Sequence, residues 1–266
     1  APAPPPSMPP AAASIPAAIV RPAVWRKSLR NPSVLIGGTI VLVMALIGLL
    51  APFLGTIDPA SISPATRNKT PGFERAIRAA AGTETKSVYR MGTSSLARDV
   101  YSRVIYGARV SMIIGVTVAA LSIAVGLLIG LVAGYVRSLD GIIMRIMDGF
   151  MAIPAILLAM GLVSLSRAGV VAVVIASVVP EIPRVVRLVR SIVLSIREEP
   201  YVEAAITVGT PTPTLLWRHV LPNTIAPLIV QGTFICASAI LVEAVLSFLG
   251  IGIPPETPTW GNIMAE

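Results

Sequence analysis

Residues 203–223 read EAAITVGTPTPTLLWRHVLPN, and this polar, proline-interrupted stretch between two long apolar runs decides how the rest of the chain is arranged. Just ahead of it, Pro200 suits a first helical turn. Glu203, Ala204 and Ala205 are good helix formers, with an acid near the positive end of the helix dipole. Gly209 stands where a left-handed cap would close a short helix. Thr212 and Pro213 read as a new N-cap and first helical position, and Leu215, Leu216 and Val220 give a brief apolar face before Pro222 and Asn223 break it again. The reading is helix, turn, helix.

On either side the chain is oily. Hydrophobic residues make up 55% and charged ones 13%, with a mean hydropathy of +0.82. An ordinary soluble domain has a charged share of about a quarter, so this is an integral membrane protein, all-α and polytopic. The net charge of +8 does not indicate nucleic acid, because the basic residues are scattered among apolar runs and form no aromatic–basic stripe. The charge reflects topology in a lipid bilayer. One Cys (Cys236) and one His (His219) exclude disulfide frameworks and Cys/His metal clusters.

Five apolar runs are expected to span: 33–54, 108–136, 141–163, a fourth from Gly169 that stays apolar to about Val179, and 224–250. Arg21, Arg26, Lys27 and Arg30 precede the first, which puts the N-terminus in the cytoplasm by the positive-inside rule. The Pro- and Ala-rich residues 1–23 cannot pack a core and read as a disordered tail. The predicted organisation is a cytoplasmic tail and flank (1–30), a first transmembrane helix (31–54), an extracytoplasmic loop (55–106) and a transmembrane core (107–266) with the loop at 200–223. Four crossings precede Glu203, so parity returns that loop to the cytoplasmic side. The long loop carries many Lys and Arg residues, against positive-inside, but the rule weakens for longer loops.

Within the runs, Ser122, Gly126, Gly130 and Gly134 form a small-residue stripe for close helix contact, either inside the subunit or with a partner. Arg137 and Asp140 are expected to make a short turn, Arg145 and Asp148 a local pair, and Pro154 a kink. Residues 164–168 read as a tight outer turn. Pro180 and Pro183 sit in what reads as one kinked helix, and Arg184, Arg187 and Arg190 recur every third residue as a solvated or headgroup-facing edge, or else as substrate contacts. Asp148, Glu181 and Glu243 are intramembrane acids and therefore functional candidates. Glu243 lies about 28 Å along its helix from Thr224. That depth matches Arg103 and Arg109, so a structural pair of Glu243 with one of these arginines is expected.

The spacing of Glu203-Ala204-Ala205, Gly209 and Leu221-Pro222 resembles the EAA loop of ABC importer permeases, and HVLPN resembles its form in peptide and nickel permeases. Residues 91–109, MGTSSLARDVYSRVIYGAR, are similar to the entry to the second span in the dipeptide/oligopeptide/nickel subfamily, with Ser95 and Ala97 in place of an acid and a Gly. Residues 246–262, LSFLGIGIPPETPTWGN, are similar to the end of its fifth span. The Thr-Pro-Thr-Pro insert departs from the pattern. The resemblance implies a type I ABC importer permease fold, five spans of which lie in this sequence while the family's sixth is missing at the C-terminus.

It also implies that Glu203, Ala204, Ala205, Gly209, Arg218 and His219 couple the chain to a cytoplasmic ATPase, in a multi-pass subunit of a bacterial plasma membrane. The implied partners are a second permease, two ATP-binding subunits and an extracytoplasmic substrate-binding protein. No phosphate loop, nucleophile–base set or metal cluster is present in the sequence, so no cofactor or catalysis is assigned to this chain; ATP and magnesium are expected on the partner subunits. The expected activity is import of di- or oligopeptides, with nickel or another small solute as the alternative within the family. A secondary transporter driven by an ion gradient is the rival from another class, and it would require inverted repeats and midplane ion ligands.

Overall fold

The computed structural model describes residues 31–78, 84–166 and 169–266. The predicted tail and flank, and Arg167 and Ala168 of the predicted outer turn, lie outside the described residues. The chain forms two compact units, one reaching to Val43 and the other beginning at Met44.

The first unit contributes most of helix α1 (Pro32–Leu49). Asn31 starts it by accepting the Ser33 N–H on Oδ1 at 3.0 Å, and Pro32 occupies the first helical position, where no N–H is needed. Ile36, Ile40, Val41 and Leu42 are all exposed, so the helix is apolar around its whole circumference, as a lipid-facing span must be. Its 18 residues extend roughly 27 Å.

The second unit is built on three long helices: α2 (Val100–Tyr135), α5 (Val170–Arg197) and α8 (Leu221–Phe248). The predicted glycine stripe proves to be the seam between α2 and α5. A methyl group on Gly126 would stand 2.5 Å from Val185 Cβ, one on Gly130 2.7 Å from Val189 Cβ, and one on Gly134 2.6 Å from Val193 Cβ. Each step of four along α2 is matched by a step of four along α5, so the two helices run parallel. Three glycines opposite three valines bring the backbones close enough for the valine methyls to pack on bare helix. On the other side, Gly115 meets Cys236 and Ile240 while Gly232 meets Ile123, a register that runs in reverse, so α8 is antiparallel to α2.

Between α2 and α5 lie α3 (Arg137–Ala152) and α4 (Ala155–Ser164), bent by 86° at Ile153 and Pro154. Pro154 therefore breaks the run rather than kinking it: its ring disfavours helical geometry at Ile153, which is extended with ψ 128°. The expected turn at Arg137 and Asp140 is instead the first turn of α3. Asp148 does not pair with Arg145. It accepts from Arg187 Nη2 across the helix interface, and Asp140 holds Arg190 through both carboxylate oxygens, Oδ2 at 2.6 Å from Nη2. The arginine row on α5 is thus largely a ladder that clamps α3.

By length and composition three described helices could cross a membrane, or four if the bent pair counts as one span: α1, α2, the bent pair, and a continuous helix over Thr212–Phe248. The fourth predicted run does not join them, because α5 carries Glu181, Arg184, Arg187, Arg190 and Arg197 from its middle onward. It is nonetheless one helix through Pro180 and Pro183, as the sequence indicates. The predicted polar loop at 55–106 contains an antiparallel hairpin, β1 (Phe73–Arg78) with β2 (Glu84–Tyr89), in which Phe73 stacks on Tyr89.

Candidate functional site

The 203–223 stretch folds much as its residues dictate. Helix α6 (Pro200–Thr207) has Pro200 in its first turn and ends in a Schellman motif. The Thr210 N–H reaches Ala205 O at 3.0 Å, the Gly209 N–H reaches Ile206 O at 2.9 Å, and Gly209 sits at φ +84°. Beyond it, α7 (Thr212–Leu215) begins behind Pro211, not Thr212. The Thr212 hydroxyl is engaged elsewhere, 3.2 Å from the Tyr135 hydroxyl at the end of α2.

Pro222 does not break the chain. Residues 216–220 take a π-helical turn, and the Leu221 N–H bonds back to Leu216 O. Widening the turn by one residue accommodates a proline that can neither donate to the ladder nor fit beneath a normal carbonyl. Helix therefore continues unbroken from Thr212 to Phe248.

Val202, Leu215 and Val220 are fully buried and anchor the stretch to the bundle. Arg197 ties it to α2, donating to Gly134 O and Tyr135 O and covering the Tyr135 ring at 5.7 Å. His219 packs beside Tyr201 with ring centroids 6.2 Å apart, and its carbonyl accepts from Asn223 Nδ2, which makes it a packing residue. What remains outward is Glu203, Ala204, Gly209 and Arg218, together with Val208 at 87% exposure and Trp217 at 75%. Tyr201 and Ile206 are exposed alongside them. An apolar surface rimmed by one acid and one arginine, carried at a helical corner, is the composition of a docking site.

At the opposite end of α2 the predicted ionic pair resolves differently. Arg103 is buried and pairs with Glu266 at 2.9 Å, as does Arg98, and both donate to Pro255 O. Glu266 closes this cluster from α9 (Trp260–Ala265), whose Trp260 donates to Val104 O. Arg109 is exposed, with Gly48 packed on its backbone. Glu243 is fully buried, and its partner is Ser247, whose hydroxyl donates to Oε1 at 2.8 Å; Ser111 and Thr259 flank it. Helical depth alone set the three residues level; the loop through Pro255 turns Arg103 toward Glu266 instead.

Since no cation among the described residues reaches Glu243, Glu243→Gln should keep the yield of assembled complex within about twofold of wild type, because the amide oxygen preserves the acceptor for Ser247. Glu243→Ala should lower it severalfold by leaving that hydroxyl without its acceptor beside a cavity. Quantitative purification from membranes measures both; equal losses for Gln and Ala would show that the charge itself is required.

Ala97 is one of two non-glycine residues with a left-handed backbone among the described residues. It stands where the resembled segment has Gly, and it adopts φ +59°, a left-handed conformation that Gly takes at less cost. Ser95, in the place of an acid, donates to Glu266 O at 3.1 Å. Asp99, four residues on, caps α2 by accepting the Ser102 N–H.

Residues 122–266 match the family described as binding-protein-dependent transport system inner membrane component, and residues 23–71 match the N-terminal TM domain of oligopeptide transport permease C. The chain is similar to a probable peptide ABC transporter permease protein of Sinorhizobium fredii, 46% identical over 91% of this chain and 78% of that one. A putative peptide transport system permease protein of Brucella abortus is 42% identical over 91% and 77%. The di/tripeptide transport system permease protein of Pseudomonas aeruginosa is 36% identical over 91% and 78%.

Proposed function

Because this chain belongs to the family of binding-protein-dependent transport system inner membrane components, we propose that it imports di- or oligopeptides, forming half of the pathway beside a second permease. The family makes it a permease subunit of an ABC importer; the cargo is inferred from relatives whose names all specify peptides. The observation that carries the coupling role is the anchored, outward-facing corner at 200–223. Val208 and Trp217 are bare there, while the buried Val202, Leu215 and Val220 anchor the corner to the bundle.

Under this reading the corner docks on a cytoplasmic ATPase subunit. Closure of the two ATPases on ATP moves the corner and reorients the pathway, and this chain hydrolyses nothing itself. A substrate-binding protein delivers cargo at the other face of the membrane. The parallel course of α2 and α5 and the reversed course of α8 support the orientation. They place the 200–223 corner at the end of the bundle opposite the Arg98–Arg103–Glu266 cluster, in keeping with a cytoplasmic N-terminus and corner and an outer loop at 55–106.

Reconstitution tests this. Liposomes carrying this chain with its second permease and ATPase subunits should accumulate labelled dipeptide only when ATP is inside and the loaded binding protein outside. Uptake that persists without ATP and collapses with the proton gradient would assign the chain to gradient-driven transport.

A further inference from the structure

Arg184, Arg187 and Arg190 lie along one side of α5, away from the valines that face α2. Arg187 and Arg190 are engaged by Asp148 and Asp140 of α3. Arg184 is not clamped to α3. Its Nη1 donates to Glu181 Oε1 at 3.0 Å and Oε2 at 3.3 Å, one turn back on the same helix, and its side chain remains 40% exposed. Glu181 is buried and is steadied from behind by the Ser238 hydroxyl of α8 at 3.4 Å. The guanidinium is therefore held from one corner only. Its Nε and Nη2, the edge that accepts a carboxylate in two parallel hydrogen bonds, have no partner among the described residues.

Arg184 lies roughly 21 Å from the start of α5 and roughly 20 Å from its end at helical rise, near the middle of the helix. A half-exposed guanidinium on a permease helix, held beside a buried carboxylate, faces a water-filled route or a charged partner and not hydrocarbon. We propose that Arg184 lines the translocation route and receives the terminal carboxylate of the passing peptide on its Nε–Nη2 edge. Glu181 serves as the positioning residue that aims the guanidinium and offsets its charge when the route is empty. This balance suits a way station, where cargo must be held strongly enough to enter and weakly enough to leave. The proposal rests on the peptide-import reading given above and adds the group of the cargo that is recognised and the residue that recognises it.

The test uses the complete importer in liposomes and two cargo peptides of the same sequence, one a free acid and one a C-terminal amide, each shown by titration to load the binding protein. Arg184→Gln should cut uptake of the acid by about tenfold or more, the scale of a lost charged hydrogen bond, while leaving uptake of the amide within about twofold of wild type. Arg184→Lys should restore part of the acid uptake. ATP hydrolysis stimulated by the binding protein should persist in both variants. Equal loss for acid and amide, or no loss for either, overturns the proposal. Loss of the second permease from the purified variant also overturns it, by assigning Arg184 to a contact between subunits. A wild-type complex that moves neither peptide overturns the peptide-import reading itself, and the unmutated arm reports that result separately.

Discussion

Gly130→Val should all but eliminate assembled permease. The added side chain begins 2.7 Å from Val189 Cβ and 3.0 Å from Val186 O, where no neighbour can rotate away: Val189 is fully buried and Val186 O belongs to helix backbone. Overpacking of this kind costs about 1–3 kcal/mol where the surroundings can relax, and more where two helices must separate. Here separation at one rung also opens the rungs at Gly126 and Gly134. Glycine in a helix costs about 1 kcal/mol relative to alanine, so three in register are retained because the close approach returns more than they cost. Thermal unfolding of the purified complex and its yield from membranes are the measurements. A valine variant with wild-type melting would mean that α2 and α5 do not pack through this seam.

Gly209→Val should leave assembly intact while abolishing cargo-stimulated ATP hydrolysis and uptake together. Nothing lies within 4 Å of a Cβ at this position, so the effect comes from backbone alone: φ +84° is strained for any L residue and worst for a β-branched one. The Schellman closure would be lost, and Val208 and the start of α7 would be carried in a different direction. Gly209→Asn should retain most function, since asparagine tolerates the left-handed region. Glu203→Lys should cause the same joint loss by another route, placing a cation in the exposed first turn of α6, where the helix dipole and the proposed docking rim favour an acid. The expected phenotype of the valine and lysine variants is loss of both uptake and cargo-stimulated ATP hydrolysis with normal complex yield. Normal coupled transport in both would reduce this corner to a connector.

The corner was legible because its signals are local. Pro200, Gly209 and the formers between them specify a helix and its end within a dozen residues, and the structure follows them. The glycine stripe was legible as a contact surface, but its partner was not. Four small residues say that something approaches closely; only the fold says that it is Val185, Val189 and Val193. Long-range pairing defeated the charge assignments for the same reason. Asp148 has Arg145 three residues away, yet it bonds to Arg187 on a different helix, and Glu243 and Arg103 share a depth without facing each other. Helical rise fixes height along a membrane, while direction around the axis depends on packing that a single chain of letters does not state. The hairpin at 73–89 was missed because its strands are six residues each and carry mixed charge, with little alternation to mark them.

The helix that continues from the corner has its irregularities gathered at one end. The π turn at 216–220, Pro222 and Pro227 all fall within the first turns after Thr212, and the remaining length to Phe248 contains no further proline. Missing backbone hydrogen bonds make a helix soft in bending but hardly shorten it. This helix is therefore a stiff rod mounted on a swivel. If the corner docks as proposed, a thrust there would travel up the rod to the buried Glu243 and Ser247 near its far end, whereas a twist or tilt would be absorbed at the joint. The far end would answer to how far the corner is pushed, not to how it is turned.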